Sequence, residues 1–223
     1  MTPLSAEARK WGEEMVSHAA FFHGRGWVAG TAGNLSVRPP EGPVRIMPSG
    51  RHKGTLSIGD LVAVSSEGSP VGEKGGRPSA ETSLHAAIYG SVPKAGAVYH
   101  VHTVESNLVS LWAQDGGVGL PPLEMLKGLG VLGENPSARM EVFPNWPEVP
   151  KIADEVVKRF GEGGFDVPGF LIRLHGLTVW GEDPAQALHH VELMDFVFRY
   201  LVLERQTRER GKVFQVPGPS GGP

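Results

Sequence analysis

Apolar residues at Leu4, Ala8, Trp11, Met15, Ala19 and Phe22 recur every three or four positions and predict a helix over residues 4–23. The pattern then changes period. Leu35-Ser36-Val37-Arg38 alternates and predicts a strand, Pro39 to Pro43 a turn, and Val44–Met47 a return strand, so an antiparallel hairpin is expected. Pro48-Ser49-Gly50 breaks it, and Leu61–Val64 predicts another short strand. Gly68–Pro78 is polar and Gly-rich and predicts a mobile loop. Ser79 is a good N-cap for a helix running to about Ser91. Ala97–His102 is β-branched and aromatic and predicts a strand; Val104–Gln114 predicts a helix and residues 115–122 a loop. Val149–Phe160 has helical spacing, Phe170–His175 reads as a buried strand, and Leu177–Trp180 follows it across a His175-Gly176 turn. Pro184, at a tolerated first-turn position, opens a long helix to about Arg208. Strands and helices that mix in this irregular way predict an α/β sandwich with a largely antiparallel sheet. One domain is expected over residues 1–210, and the Pro/Gly-rich stretch 211–223 is expected to be a disordered tail.

Composition narrows the function classes. The 223 residues contain no cysteine, which excludes a disulfide scaffold, a Cys-ligated metal and a thiol nucleophile. A net charge of -3 argues against general nucleic-acid binding, which needs a basic surface. No apolar run approaches the ~18 residues that a membrane span requires, and the charged start has no signal-peptide core. A soluble, cytoplasmic protein is expected.

Three of the nine histidines are placed unusually. His100 and His102 stand at i and i+2 of a predicted strand, so they share a face about 6–7 Å apart at the backbone. His175 ends another predicted strand just before Gly176. Three imidazoles with an open fourth position suit a catalytic zinc, and also iron, nickel or cobalt; hydrogen-bonded sheet histidines are the plainer alternative. The segments Gly30–Asn34, Pro48–Gly50 and Pro78–Ala80 could each offer N–H groups to an anion or be ordinary turns. Two carboxylates lie near these elements. Glu81 in the first turn of the Ser79 helix suits the helix dipole. Glu124 sits in the apolar stretch LPPLEMLKGLGV and needs a partner or a metal, with Lys127 three residues on as one candidate. His85 could pair with Glu81 or pack, His189 and His190 suit a surface or an interface, and His18, His23 and His52 have no evident partner.

Together the segments TAGNLSVR, MPSG, RPSAETSLHAAIY, GAVYHVHT and FLIRLHGLTVWG, in that order and followed by a long helix, resemble the class II aldolase/adducin-head family over about residues 8–208. The resemblance implies a class II aldolase-like sandwich, its sheet covered by helices on both faces. It implies one zinc ion per subunit on His100, His102 and His175, and a homotetramer with sites near subunit interfaces. It also implies a sugar-phosphate substrate whose phosphate rests around Asn34, Ser49, Gly50 and Ser79. The pieces LEMLKGLG and HGLTVWGEDPAQALHHVE are most similar to the branch that dehydrates a methylthio-substituted pentulose phosphate. In that branch Glu124 would be the catalytic acid/base. In the aldolases of the family the catalytic carboxylate stands where Glu81 does here, so an aldolase acting on fuculose or ribulose phosphate is the alternative. The adducin head itself lacks the zinc site, whereas all three histidines are present here.

Overall fold

The computed structural model describes residues 4–72 and 76–209. Eight strands form one sheet in the order β3-β2-β1-β4-β8-β7-β6-β5. They are β1 Asn34–Val37, β2 Val44–Ile46, β3 Val62–Val64, β4 Ala97–Val101, β5 Gly117–Leu120, β6 Ala138–Phe143, β7 Gly169–Ile172 and β8 Gly176–Gly181. Every neighbouring pair is antiparallel except β6 and β7. The α-helices are α1 Ala6–Gly24, α2 Thr82–Ser91, α3 Val104–Ser110, α4 Val149–Gly161 and α5 Pro184–Glu209.

Side chains two apart on a strand share a face, and this alternation builds two separate cores. Leu35, Val37, Tyr99, Val101, Leu177 and Val179 pack with Met15 and Phe22 of α1, Val109 of α3 and Met194 and Phe198 of α5. On the opposite face Ile46, Val98, Phe170, Ile172 and Trp180 pack with Leu84 and Ile88 of α2 and Ile152 and Val156 of α4. The expected α/β sandwich with helices on both faces is therefore what the chain forms. Asn34, His100 and Thr178 lie on the α2/α4 face. The register pairs Asn34 with His100 and His100 with Thr178, so the three occupy one row across β1, β4 and β8.

The Arg38 guanidinium anchors α2 from its C-terminal end. It donates to the carbonyls of Tyr89 (2.9 Å), Val92 (3.1 Å), Pro93 (2.6 Å) and Ala95 (2.6 Å). A cation there satisfies carbonyls that the ended helix leaves open and meets the negative end of its dipole. Holding that end also fixes the other, where Glu81 stands.

Several elements differ from expectation. The stretch 115–122 contains β5, which pairs along its length with β6, a strand the hydrophobic pattern does not predict. Glycines alternate in β5 (GVGL) and mask its period. The helix expected to reach Gln114 stops at Ser110. The strand expected through His175 ends at Ile172, because Leu174 turns the chain with φ 53°. The Ser79 helix begins only at Thr82. Ser79 Oγ instead accepts from the Glu81 N–H at 3.2 Å, which caps the turn before the helix. His190 is buried rather than superficial, its Nδ1 donating to the Trp180 carbonyl at 2.7 Å. Part of the expected loop Gly68–Pro78 and all of the stretch 211–223 lie outside the described residues. Among the described residues no helix is long and apolar enough to cross a membrane.

Candidate active site

His100 comes from the middle of the sheet and is fully buried. His102 follows one residue past the end of β4, and its N–H donates to the Trp27 carbonyl at 2.7 Å. His175 sits in the tight turn between β7 and β8, closed by its N–H on the Ile172 carbonyl at 3.1 Å. Gly176 follows because space is lacking: a Cβ there would strike the Val101 carbonyl and crowd the His100 and His102 rings. The three rings stand edge to face with centroids 4.7, 4.9 and 4.8 Å apart.

Glu81 completes the cluster from the N-terminal end of α2. Its Oε1 lies 3.1 Å from His175 Nε2 and 3.5 Å from His100 Nε2, and the Nε2 atoms of His100 and His102 are 2.8 Å apart. One donor atom from each of the four residues falls within 4.8 Å of the others. Tetrahedral zinc with bonds of about 2.0–2.1 Å separates its ligands by about 3.3 Å, close to these distances. Three nitrogens and one carboxylate oxygen facing a common point are a donor set that fits a divalent ion such as zinc.

The rings are aimed by outer contacts. His100 Nδ1 lies 2.8 Å from Thr178 Oγ1, and His175 Nδ1 lies 3.2 Å from Asn145 Oδ1. With Nδ1 donating outward, each of these two rings turns its Nε2 lone pair to the centre, as a metal-bound histidine does. Burial, with the neighbouring histidines adding to it, pulls His100 down to about 4 and His102 down to about 3. Both are then neutral at pH 7, as a ligand must be. Burial pushes the Glu81 carboxyl up, but His100, His175 and His85 outweigh it and hold the group well below the usual carboxylate range. His85 meets Ser36 rather than Glu81: Ser36 Oγ lies 2.7 Å from His85 Nδ1 and 2.9 Å from the Tyr89 hydroxyl.

Glu124 stands outside this cluster. It opens the 3-10 helix Glu124–Leu129, its side chain is 80% exposed, and it pairs with Lys127 at 2.8 Å. Of the residues expected around a phosphate, Asn34 is buried with neither side-chain amide atom partnered. Ser49 and Gly50 are exposed in a turn where Gly50 takes φ 68°, and Ser79 is half-buried. The Ser49 N–H donates to the Arg77 carbonyl at 2.9 Å, which brings the 48–50 turn against the approach to Ser79. A concavity of about 850 Å³ lies elsewhere, between α5 and the Glu124 turn, lined by Trp27, Met125, Phe196, Tyr200 and Leu203 among others.

The sequence reading missed Thr178 and Asn145. Thr178 had a signal, as the one polar side chain in the apolar strand Leu177–Trp180. Asn145 is a polar residue between Pro144 and Pro147, a weaker sign.

His100 in the sheet, His102 and His175 just beyond strand ends and Glu81 at the entrance to α2 form a donor set that could hold a metal ion, as a lyase of the class II aldolase type would need. The chain belongs to the class II aldolase and adducin N-terminal domain family, whose model matches residues 13–202. It is 45% identical over 196 residues to the methylthioribulose-1-phosphate dehydratase of Microcystis aeruginosa, covering 87% of this chain and 96% of that protein. The dehydratase of the same name from Leptospira biflexa is 38% identical over 200 residues, covering 85% and 95%. Among solved structures, YgbL from Escherichia coli superposes with a TM-score of 0.75 at 27% identity, over 87% of this chain and 89% of that one.

Proposed function

We propose that this protein is a methylthioribulose-1-phosphate dehydratase, a hydro-lyase of methionine salvage. It converts 5-methylthioribulose 1-phosphate to 2,3-diketo-5-methylthiopentyl 1-phosphate. The observation that carries this reading is the 45% identity to a dehydratase over nearly its full length, in a chain that keeps a coherent His/Glu cluster.

His100, His102 and His175 hold the metal, read as zinc, with Glu81 beside it. A divalent ion there supplies Lewis-acid polarisation of a carbonyl. Asn34, Ser49, Gly50 and Ser79 bind the substrate phosphate and so fix which carbon faces the base. Asn34's unpartnered amide supports that role, since a buried polar group without a partner is costly. Glu124 takes the C3 proton and returns it to the departing C4 hydroxyl, which leaves as water; the enol so formed becomes the diketone.

Glu124 projects into solvent away from the histidines of its own chain. On this reading it meets substrate in a homotetramer, presented by a second copy. The exposed apolar residues Phe196, Tyr200 and Leu203 of α5 give such an assembly a surface to bury. The absence of cysteine suits a cytoplasmic location.

A second reading has one specific observation behind it. Glu81, not Glu124, lies among the histidines, which is where an aldolase of this family keeps its acid/base. Product analysis of the zinc-loaded protein separates the two. A dehydratase yields a product lighter than methylthioribulose phosphate by one water. An aldolase yields two carbon fragments, and fuculose or ribulose phosphate would then be the better substrate.

A further inference from the structure

Lysine is almost never fully buried unless paired, yet Lys53 is only 2% exposed. Its ammonium donates to two carbonyls, Thr31 at 3.0 Å and Arg51 at 2.9 Å. Among the described residues no carboxylate forms an ion pair with it. Two neutral acceptors satisfy two of its three N–H donors and leave its charge uncompensated, which is costly away from water. The Glu81 carboxylate, with which it makes no ion pair, offsets only part of that burial.

The two carbonyls belong to the segments on which the phosphate reading rests. Thr31 lies three residues before Asn34, and Arg51 directly follows Ser49-Gly50. The 48–50 turn is in turn joined to the segment before Ser79, through Ser49 N–H to the Arg77 carbonyl and a bridge between Pro48 and Pro78. Gly33 admits no side chain, since a Cβ there would overlap Val28 and press on the His100 carbonyl; the 30–34 loop is thus packed tightly onto β4. An unpaired buried cation and an unpartnered buried amide therefore border the same loops. Both deficits are met by an anion with several acceptor oxygens.

We propose that Lys53 is a positioning residue for the anionic end of the substrate: it clamps loops 30–34 and 48–51 into one cradle and supplies the fixed positive charge that a bound phosphate neutralises. This rests on the reading of the substrate as a phosphate ester but not on which bond is broken. Lys53→Met removes the charge and the clamp at nearly constant volume, and Lys53→Arg restores the charge.

The test uses zinc-loaded protein and inorganic phosphate as the probe. Phosphate at millimolar concentration should raise the melting temperature of the wild type above that in chloride of equal ionic strength. Lys53→Met should lose that shift, and Lys53→Arg should recover part of it. In turnover, Lys53→Met should raise KM about 10–100-fold, the worth of a charge-assisted contact, while kcat falls far less. A wild type that ignores phosphate, or a Lys53→Met protein that keeps both the shift and the KM, overturns the proposal. So does loss of fold and of zinc in both variants, which would make Lys53 a structural peg only. If the phosphate shift behaves as expected but no water is lost from methylthioribulose phosphate, the dehydratase reading fails and the role of Lys53 stands.

Discussion

Replacing Thr178 by Val removes one oxygen from the centre of the sheet and changes little else in volume. Thr178 and His100 are both fully buried, so no water replaces the lost partner of His100 Nδ1. An unsatisfied buried donor costs about 1–3 kcal/mol, and the metal-free protein should lose stability by that amount. The effect on metal binding has a second source. Thr178 Oγ1 can accept from a proton on His100 Nδ1, which leaves the Nε2 lone pair for a metal; without that acceptor the ring is freer to carry the proton on the ligating nitrogen. At about 1.4 kcal/mol per tenfold, the zinc dissociation constant should rise about 10–100-fold, the range usual when a group that orients a metal-bound histidine is removed. Competition with a chromophoric chelator at neutral pH measures it, and denaturant melts of the metal-free protein give the stability. Thr178→Ser should stay near wild type. A Thr178→Val protein that binds zinc within twofold of wild type would show that this contact does not orient His100.

Other expectations follow from the same contacts. His100 and His102 are held below their unfolded value of 6.5 by burial, so the folded protein binds fewer protons than the unfolded chain between about pH 4 and 6.5. Stability of the metal-free protein should be fully present above pH 6.5 and fall on acidification through that window; a melting temperature flat from pH 7 to pH 4.5 would contradict it. Asp195, pushed up to about 6 chiefly by burial and with Oδ1 unpartnered, has the opposite sign. Its contribution is lost as pH rises through 6, so Asp195→Asn should gain about 1–3 kcal/mol relative to wild type at pH 8 and little at pH 4. Light scattering should give a tetramer, and a 23.9 kDa monomer at micromolar concentration would remove the partner that presents Glu124.

The sequence carried the helices whose stripes are regular, such as α1, and the strands rich in β-branched and aromatic residues, such as β4. It did not carry β5, where glycines replace the side chains whose alternation marks a strand. The i, i+2 histidines were legible because strand geometry alone puts them on one face. That Glu81 joins them was not, because it depends on where α2 begins. A capped turn at Ser79 delays the helix by two residues and leaves the carboxylate at the helix entrance facing the sheet. Lys53 was invisible for a related reason: a lone lysine in a turn has no pattern, and only the packing of three loops reveals that its charge is buried.

The division of labour between the two glutamates is tested most directly by running Glu124→Gln and Glu81→Gln, each with measured zinc content, on methylthioribulose phosphate. A residue that moves a proton in the transition state should affect kcat far more than binding. The account predicts that Glu124→Gln keeps its zinc and loses about 10²–10⁴ in kcat. Glu81→Gln should bind zinc more weakly yet still form the dehydrated product once the metal is saturating. Normal turnover by Glu124→Gln beside an inactive, zinc-loaded Glu81→Gln would contradict it and assign the proton transfer to Glu81.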